Sequence, residues 1–310
     1  MKINDSLQYI CCPSCKSDLF LKDDQLICSS CDATYSVLEG DILSIVPNMT
    51  DDLMLSIEKW DELYRNQLAR NELENNFKYY ENRFKDDVVN QLIEAKALSS
   101  DTVYLEIGCG TFFLGQSLAK DVGLIIGIDF SPTALKIAKK MLDDKGIYNY
   151  ILIHGDIQKM PLKNDVVDLI YGGGVIEHFE NTSTAVCELY RVLKQQGVSV
   201  NTVPHLNLGS LTYRQIWGNI PNFPILKQLA ELIHIKLLGG KHMMFGYEFS
   251  FLPSTIKKIH INCGFTKVDV DKFKVKTDLE FVPKSLRGYA DYLCTNSKLF
   301  WPMIKVTAQK

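Results

Sequence analysis

The chain reads as an α/β protein built on a doubly wound, mostly parallel sheet, with a small metal-binding ribbon in front of it and a helical lid. Three observations predict this. From residue 103 to residue 203, apolar runs alternate with amphipathic helical patterns, the signature of parallel strands buried on both faces and joined by crossover helices. The first run, Val103-Tyr-Leu-Glu-Ile107, opens into Gly108-Cys-Gly110, a strand-to-helix turn where the backbone can approach a ligand closely. Two Cys-x-x-Cys pairs stand near the amino terminus.

The pairs are Cys12 with Cys15 and Cys28 with Cys31, twelve residues apart, so each pair offers two thiolates and the other completes a tetrahedron. Four cysteines leave no open coordination position, which predicts a structural Zn2+ in a ribbon over residues 1–47 whose core is too small to fold without metal. Cys11 is expected to be a spare thiol. Within the segment 48–100, residues 51–98 carry helical periodicity, with Leu53, Ile57, Trp60 and Tyr64 on one face and Val88, Val89, Leu92 and Ile93 on another. They are expected to form a helical linker and cap.

Residues 101–310 hold the main sheet. After the glycine turn, Leu124-Ile-Ile-Gly-Ile128 ends in Asp129, about 20 residues past the glycines, where an acid at a strand tip reaches ribose hydroxyls. Ile151-Leu-Ile-His-Gly-Asp156, Val166-Val-Asp-Leu-Ile-Tyr171, a helical pattern from Glu188 to Lys194, and the strand Val198-Ser-Val-Asn-Thr-Val203 follow. A dinucleotide is disfavoured on two grounds. The third position of Gly-x-Gly-x-x-Gly is Phe113, too bulky for close helix packing, and Glu106 would repel a pyrophosphate but welcome a cationic cofactor.

These residues resemble the class I S-adenosylmethionine-dependent methyltransferases over roughly residues 101–204, and the resemblance implies a seven-stranded Rossmann-like sheet. The last glycine of that family's Glu-x-Gly-x-Gly-x-Gly is Phe112 here. Residues 7–47 resemble the ribbons found in front of some methyltransferases and in tRNA-methyltransferase activator proteins. The resemblance implies S-adenosylmethionine as cofactor, with Glu106, Gly108 and Gly110 at its methionine end, Asp129 at the ribose, and Asp156 with the Ile157 amide at the adenine. Phe130 and Gly172 join the expected cofactor-binding set.

The loop Gly172-Gly-Gly-Val-Ile-Glu-His178 is where an acceptor approaches. It lacks the Asn/Asp-Pro-Pro-aromatic motif of base-amine methylation, and Cys187 falls on a helical pattern rather than in a Pro-Cys at a strand end. Oxygen or nitrogen methylation remains, with His178, Glu177 and His205 as catalytic candidates and His178 as the general base for a hydroxyl. Residues 205–251 interrupt the family plan with aromatics, turn residues and an amphipathic helix from residue 225 to 238. This insertion is expected to be the acceptor lid, and it also offers a surface for a homodimer, for the ribbon or for lipid.

A formal net charge of −3 and a pI of about 6.1 exclude a global basic field for nucleic acid, although residues 251–310 hold eleven Lys and Arg against five Asp and Glu. No apolar run has the length of a membrane span and the first residues lack a secretory core, so a cytoplasmic protein is expected, with nine cysteines serving as metal ligands or scattered thiols. The leading function is methyl transfer to an oxygen or nitrogen of a small-molecule or saccharide acceptor. The alternatives are an RNA methyltransferase that holds rRNA or tRNA with its ribbon, and a non-catalytic cofactor-binding partner protein.

Overall fold

The computed structural model describes residues 3–38, 41–46, 51–70, 85–243, 246–274, 279 and 282–310, with the backbone alone for 51–56 and 86. Of the expected segments, residues 1–2, 39–40 and 47 of the ribbon, 48–50 and 71–84 of the linker and cap, 244 and 245 of the insertion, 275–278, 280 and 281 of the sheet domain, and the Leu53 side chain lie outside the described residues. The ribbon strands are β1 (Leu19–Lys22), β2 (Gln25–Cys28), β3 (Thr34–Leu38) and β4 (Ile42–Ile45). The main strands are β5 (Val103–Ile107), β6 (Leu124–Asp129), β7 (Tyr150–Gly155), β8 (Val167–Gly173) and β9 (Leu193–Pro204). Then come the short pair β10 (Ile220–Pro221) and β11 (Phe249–Ser250), and finally β12 (Lys267–Lys272) and β13 (Met303–Gln309).

Helices α1 (Ile3–Ser6), α2 (Asp51–Ala69) and α3 (Asp86–Ala95) precede the main sheet. Within and after it lie α4 (Phe113–Leu118), α5 (Pro132–Asp144), α6 (Thr182–Val192), α7 (Pro224–Glu231), α8 (Pro253–Asn262) and α9 (Arg287–Asn296). The strand order β7-β6-β5-β8-β9-β13-β12 gives seven strands, parallel except for β13, which runs against both neighbours. All five residues of β5 are buried, the pattern of a strand covered on both faces.

The sheet does not stop at β7. β4 pairs with it in parallel, Leu43 opposite Ile153 and Ile45 opposite Gly155, so the ribbon extends the seven strands to eleven. Side chains reinforce the junction. Lys16, just past the first knuckle, pairs with Glu188 at 2.8 Å, and Glu188 in turn holds Arg191 at 2.6 Å. Arg191 spends its remaining N–H groups on the carbonyls of Met160 and Leu162 and on Asn164.

Two expectations need correction. Leu193 and Lys194 belong to β9 and not to the preceding helix, because the helix ends at Val192 and Leu193 takes extended backbone (φ −68°, ψ 136°). The cysteines outside the ribbon are not all scattered thiols. Cys187 on α6 and Cys263 just after α8 form a disulfide, with Cα atoms 4.8 Å apart. Among the described residues no helix is long and apolar enough to cross a membrane.

Candidate active site and metal centre

The site is built at the carboxyl ends of adjacent parallel strands. β5 delivers the glycine turn, β6 delivers Asp129 and β7 delivers Asp156, in neighbouring positions across the sheet. Gly108 and Gly110 both have positive φ, +56° and +52°, a conformation that favours glycine. A side chain at Gly108 would strike Val175, and one at Gly110 would run into the Tyr64 hydroxyl. The helix α2 therefore lies directly over the turn.

Asp61 fixes α2 there. Its carboxylate accepts from the Ser131 hydroxyl at 2.6 Å and from the Thr133 N–H at 3.2 Å, while the Ser131 oxygen caps α5 by accepting from Ala134 N–H at 3.0 Å. Trp60, one residue earlier, meets the His178 ring edge-on with centroids 6.1 Å apart. The sequence pattern does not single out Asp61; its signal is its place between Trp60 and Tyr64 on one helix.

Glu106 is fully buried, accepting from the Gly115 N–H at 2.9 Å and the Tyr104 hydroxyl at 3.2 Å. Burial pushes its pKa up to about 8, with those two donors pulling the other way. A desolvated acid whose partners here are a backbone amide and a phenol fits a ligand bearing an amino group, which would stabilise the carboxylate. Asp129 is engaged by the protein itself. One oxygen accepts from Gly110 N–H at 2.7 Å and the other from Ser131 N–H at 2.8 Å, so this acid ties the glycine turn to α5. Burial raises its pKa against those bonds. Phe130 follows, 6.4 Å from Phe179 between ring centroids.

Asp156 accepts from Gln158 N–H at 2.8 Å, capping the short turn Ile157–Lys159, and Ile157 is buried beneath it. Gly172 points into the sheet, where a side chain would meet Asn201 Oδ1 at 2.5 Å and Ile107 at 2.8 Å. A glycine there lets β8 pack against its neighbours. His154 on β7 bonds the Ser44 hydroxyl of the ribbon at 2.9 Å.

In the loop after β8, His178 has one ring nitrogen committed. Nδ1 lies 2.6 Å from the Tyr247 carbonyl, and a carbonyl only accepts, so Nδ1 carries the proton and Nε2 keeps its lone pair. Burial lowers the His178 pKa, opposed by the charge of Glu248 and the carbonyls of Tyr247 and Gly174. Glu177 is buried and its Oε2 has no hydrogen-bond partner in the protein. Burial drives its pKa well up, the nearby Glu248 adds to that, and Arg214 offsets part of it. Arg214 and Glu248 are themselves paired at 3.5 Å, and Asn219 donates to the same Glu248 oxygen at 2.9 Å.

His205 is separate from this group. Its Nδ1 accepts from the Asn207 amide at 3.0 Å and its ring lies 6.2 Å from Trp301, in a buried setting that lowers its pKa. Above His178, the insertion contributes an aromatic ladder, with Tyr247 and Phe249 centroids 4.8 Å apart and Phe249 and Phe251 6.2 Å apart. The Tyr247 hydroxyl donates to Glu231 of α7.

At the ribbon, the sulfurs of Cys12, Cys15, Cys28 and Cys31 all lie within 4.8 Å of one another. Contacts of 3.7 Å (Cys12 to Cys31), 3.6 Å (Cys15 to Cys31) and 3.3 Å (Cys15 to Cys28) lie somewhat below the roughly 3.8 Å edge of a tetrahedron with metal–sulfur bonds of about 2.3 Å. The donor set fits zinc. Tyr35 places its hydroxyl 3.2 Å from the Cys12 sulfur. Cys11 points away, its thiol donating to the Leu162 carbonyl at 3.1 Å, and burial raises its pKa to about 11.

Residues 105–200 match the family described as methyltransferase domain. Proteins named demethylmenaquinone methyltransferase are similar as well. The one from Oceanobacillus iheyensis is 28% identical over 185 residues, covering 54% of this chain and 71% of the relative. The one from Geobacillus stearothermophilus is 27% identical over 121 residues, covering 38% of this chain and 50% of its own length. The match makes residues 105–200 an S-adenosylmethionine-dependent methyltransferase domain. Two solved structures share the fold of this methyltransferase. A chain of the Haloferax volcanii complex between the Trm112 methyltransferase activator and the putative methyltransferase superposes with a TM-score of 0.54 at 13% identity, covering 81% of this chain and 96% of that one. Haemonchus contortus phosphoethanolamine N-methyltransferase 2, in complex with S-adenosyl-L-methionine, gives 0.53 at 15% identity, covering 80% and 60%.

Proposed function

We propose that this methyltransferase alkylates an oxygen or nitrogen of a small-molecule acceptor, with a saccharide in that class, and that the acceptor lies between the 172–179 loop and the 205–251 insertion. The observation that carries the reading is the fixed orientation of His178, whose Nδ1–H is held by the Tyr247 carbonyl, so that the neutral ring has its lone pair on Nε2. S-adenosylmethionine, when bound, supplies an activated methyl group. Glu106 would hold its amino group, with Gly108 and Gly110 giving the backbone room, Asp129 meeting the ribose, and Asp156 and the Ile157 amide meeting the adenine. Phe130 would lie along the cofactor.

The protein's own work is alignment and proton removal. Trp60 and the insertion exclude water, His178 takes the acceptor's proton, and Glu177 Oε2 receives a hydrogen bond from an acceptor donor group, an otherwise costly buried vacancy. The relatives' name, demethylmenaquinone methyltransferase, supports a small-molecule acceptor and favours a second reading, methylation of a quinone-type ring. The four ribbon cysteines would hold one structural Zn2+.

The test is His178→Ala assayed across pH. For the hydroxyl reading, the variant loses maximal rate by about 100-fold or more with little change in cofactor affinity. The wild-type rate rises with pH, because the active base is neutral, and its midpoint lies below the ordinary histidine value since burial lowers the pKa. A variant that keeps both rate and pH limb assigns His178 a packing role only.

A further inference from the structure

The insertion over the acceptor site carries a helix turned inside out. α7 and the wide helical turn that continues it, Leu232–Leu237, send Ala230 and His234 inward, 6% and 5% exposed. His234 bonds Gln215 at 2.8 Å and His242 at 3.0 Å. The outward side holds Ile225, Leu229, Leu232 and Leu237, and Ile225 and Leu237 are 74% and 71% exposed. A surface helix of a globular protein buries its apolar stripe and offers polar residues to water. Here that segregation is reversed.

The reversal is not confined to one helix. The Gln215 bond ties α7 to the short turn Tyr213–Trp217, which exposes Ile216, and the Gly209 N–H donates to the Leu299 carbonyl at 3.1 Å, tying the same loop to the segment after α9. Tyr289, Tyr292 and Leu299 are exposed there. Charge on these elements has one dominant sign. Lys236, Lys241, Lys284 and Lys298 are exposed, and Asp291 is the exposed acid among their described residues.

We propose that this face is a membrane-binding surface that lies on an anionic bilayer, aliphatic side chains at the acyl boundary and lysines among the headgroups. The proposal rests on the methyltransferase reading of the site and deepens it: the acceptor is an apolar small molecule taken up from the bilayer, beneath the aromatic ladder of Tyr247, Phe249 and Phe251. Charge decides for lipid over a second copy of the chain. Self-association would bring the lysines of both copies to one desolvated interface with few acids to offset them, whereas anionic headgroups supply the counter-charge.

The experiment is co-sedimentation of the full-length protein with vesicles of phosphatidylcholine, with and without phosphatidylglycerol. Binding should be about tenfold or more tighter with the anionic lipid and weaken as salt rises. Ile225→Glu combined with Leu237→Glu should abolish it while S-adenosylmethionine binding, measured by calorimetry, is unchanged. Should that variant not fold, Lys236→Gln with Lys241→Gln is expected to fold and to lose much of the preference for phosphatidylglycerol. No sedimentation with either vesicle, equal binding by the substituted proteins, or a dimer in analytical ultracentrifugation that Ile225→Glu disrupts would overturn the proposal. Loss of cofactor binding by the wild type would instead overturn the reading of the site.

Discussion

Phe112 shows how a single residue departs from its motif and still serves it. It occupies the position where the family pattern has a glycine, and it adopts the left-handed conformation that such a position demands (φ 59°, ψ 37°). That conformation costs a non-glycine residue roughly 1–2 kcal/mol. The ring is fully buried against Gly115 and Gly127, and removing a buried phenylalanine costs about 3–5 kcal/mol. Burial outweighs strain. Phe112→Gly should therefore lower unfolding free energy by about 2 kcal/mol in a denaturant titration, and an increase would mean that strain dominates. The departure was legible in the sequence, but its conformation was not, because the compensating space is made by two glycines, one of them on another strand. Asp129 carries a similar lesson. Its distance from the glycine turn pointed to a ribose, while its bonds to Gly110 and Ser131 depend on how β6 and α5 meet.

Among the elements, the buried strands were the most readable. β5 and β6 are continuous apolar runs because both faces are covered, and the sequence carries that directly. The end of α6 was harder, since Val192 and Leu193 continue an apolar pattern across the switch from helix to strand. Helix α8 holds a group that invites measurement. His260 is buried, donating Nδ1–H to the Ile256 carbonyl at 2.9 Å while Nε2 has no protein partner. Burial lowers its pKa to about 4. The unfolded chain binds that proton near pH 6.5, so the native state is favoured above that value and loses up to about 3 kcal/mol as pH falls towards 4. Comparing the pH dependence of wild-type unfolding with that of His260→Leu isolates this contribution. The variant should show a flatter loss between those limits, and parallel curves would remove His260 as the source.

Across the whole molecule, the two Cys-x-x-Cys pairs made the ribbon visible, yet nothing local announced where it docks. The pairing of β4 with β7 joins residues more than a hundred positions apart, and the Cys187 to Cys263 bridge spans 76 positions. Such contacts are set by the closing of the fold. Continuity of the sheet leads to a prediction about metal. Protein purified without chelator should contain one zinc per chain, and chelation should lower the main thermal unfolding transition by several degrees instead of adding a separate early step. The reason is that Lys16, Glu188 and Arg191 couple the knuckle to α6 and to the loop after β7. An unchanged main transition after complete metal loss would show the ribbon to be energetically independent.

The joined sheet also settles what happens at an exposed flank. A strand like β7, whose Ile151, Leu152 and Ile153 are all buried, would present an open row of backbone donors and acceptors if it ended the sheet, a template for pairing with other chains. Instead β4 covers it, and the outermost position passes to β1, only four residues long, which leaves through Asp23 and Asp24, both with positive φ, in a tight charged hairpin. The cysteine knuckles pin that hairpin in place. Chains stripped of the ribbon are therefore expected to associate along β7 and to lose solubility.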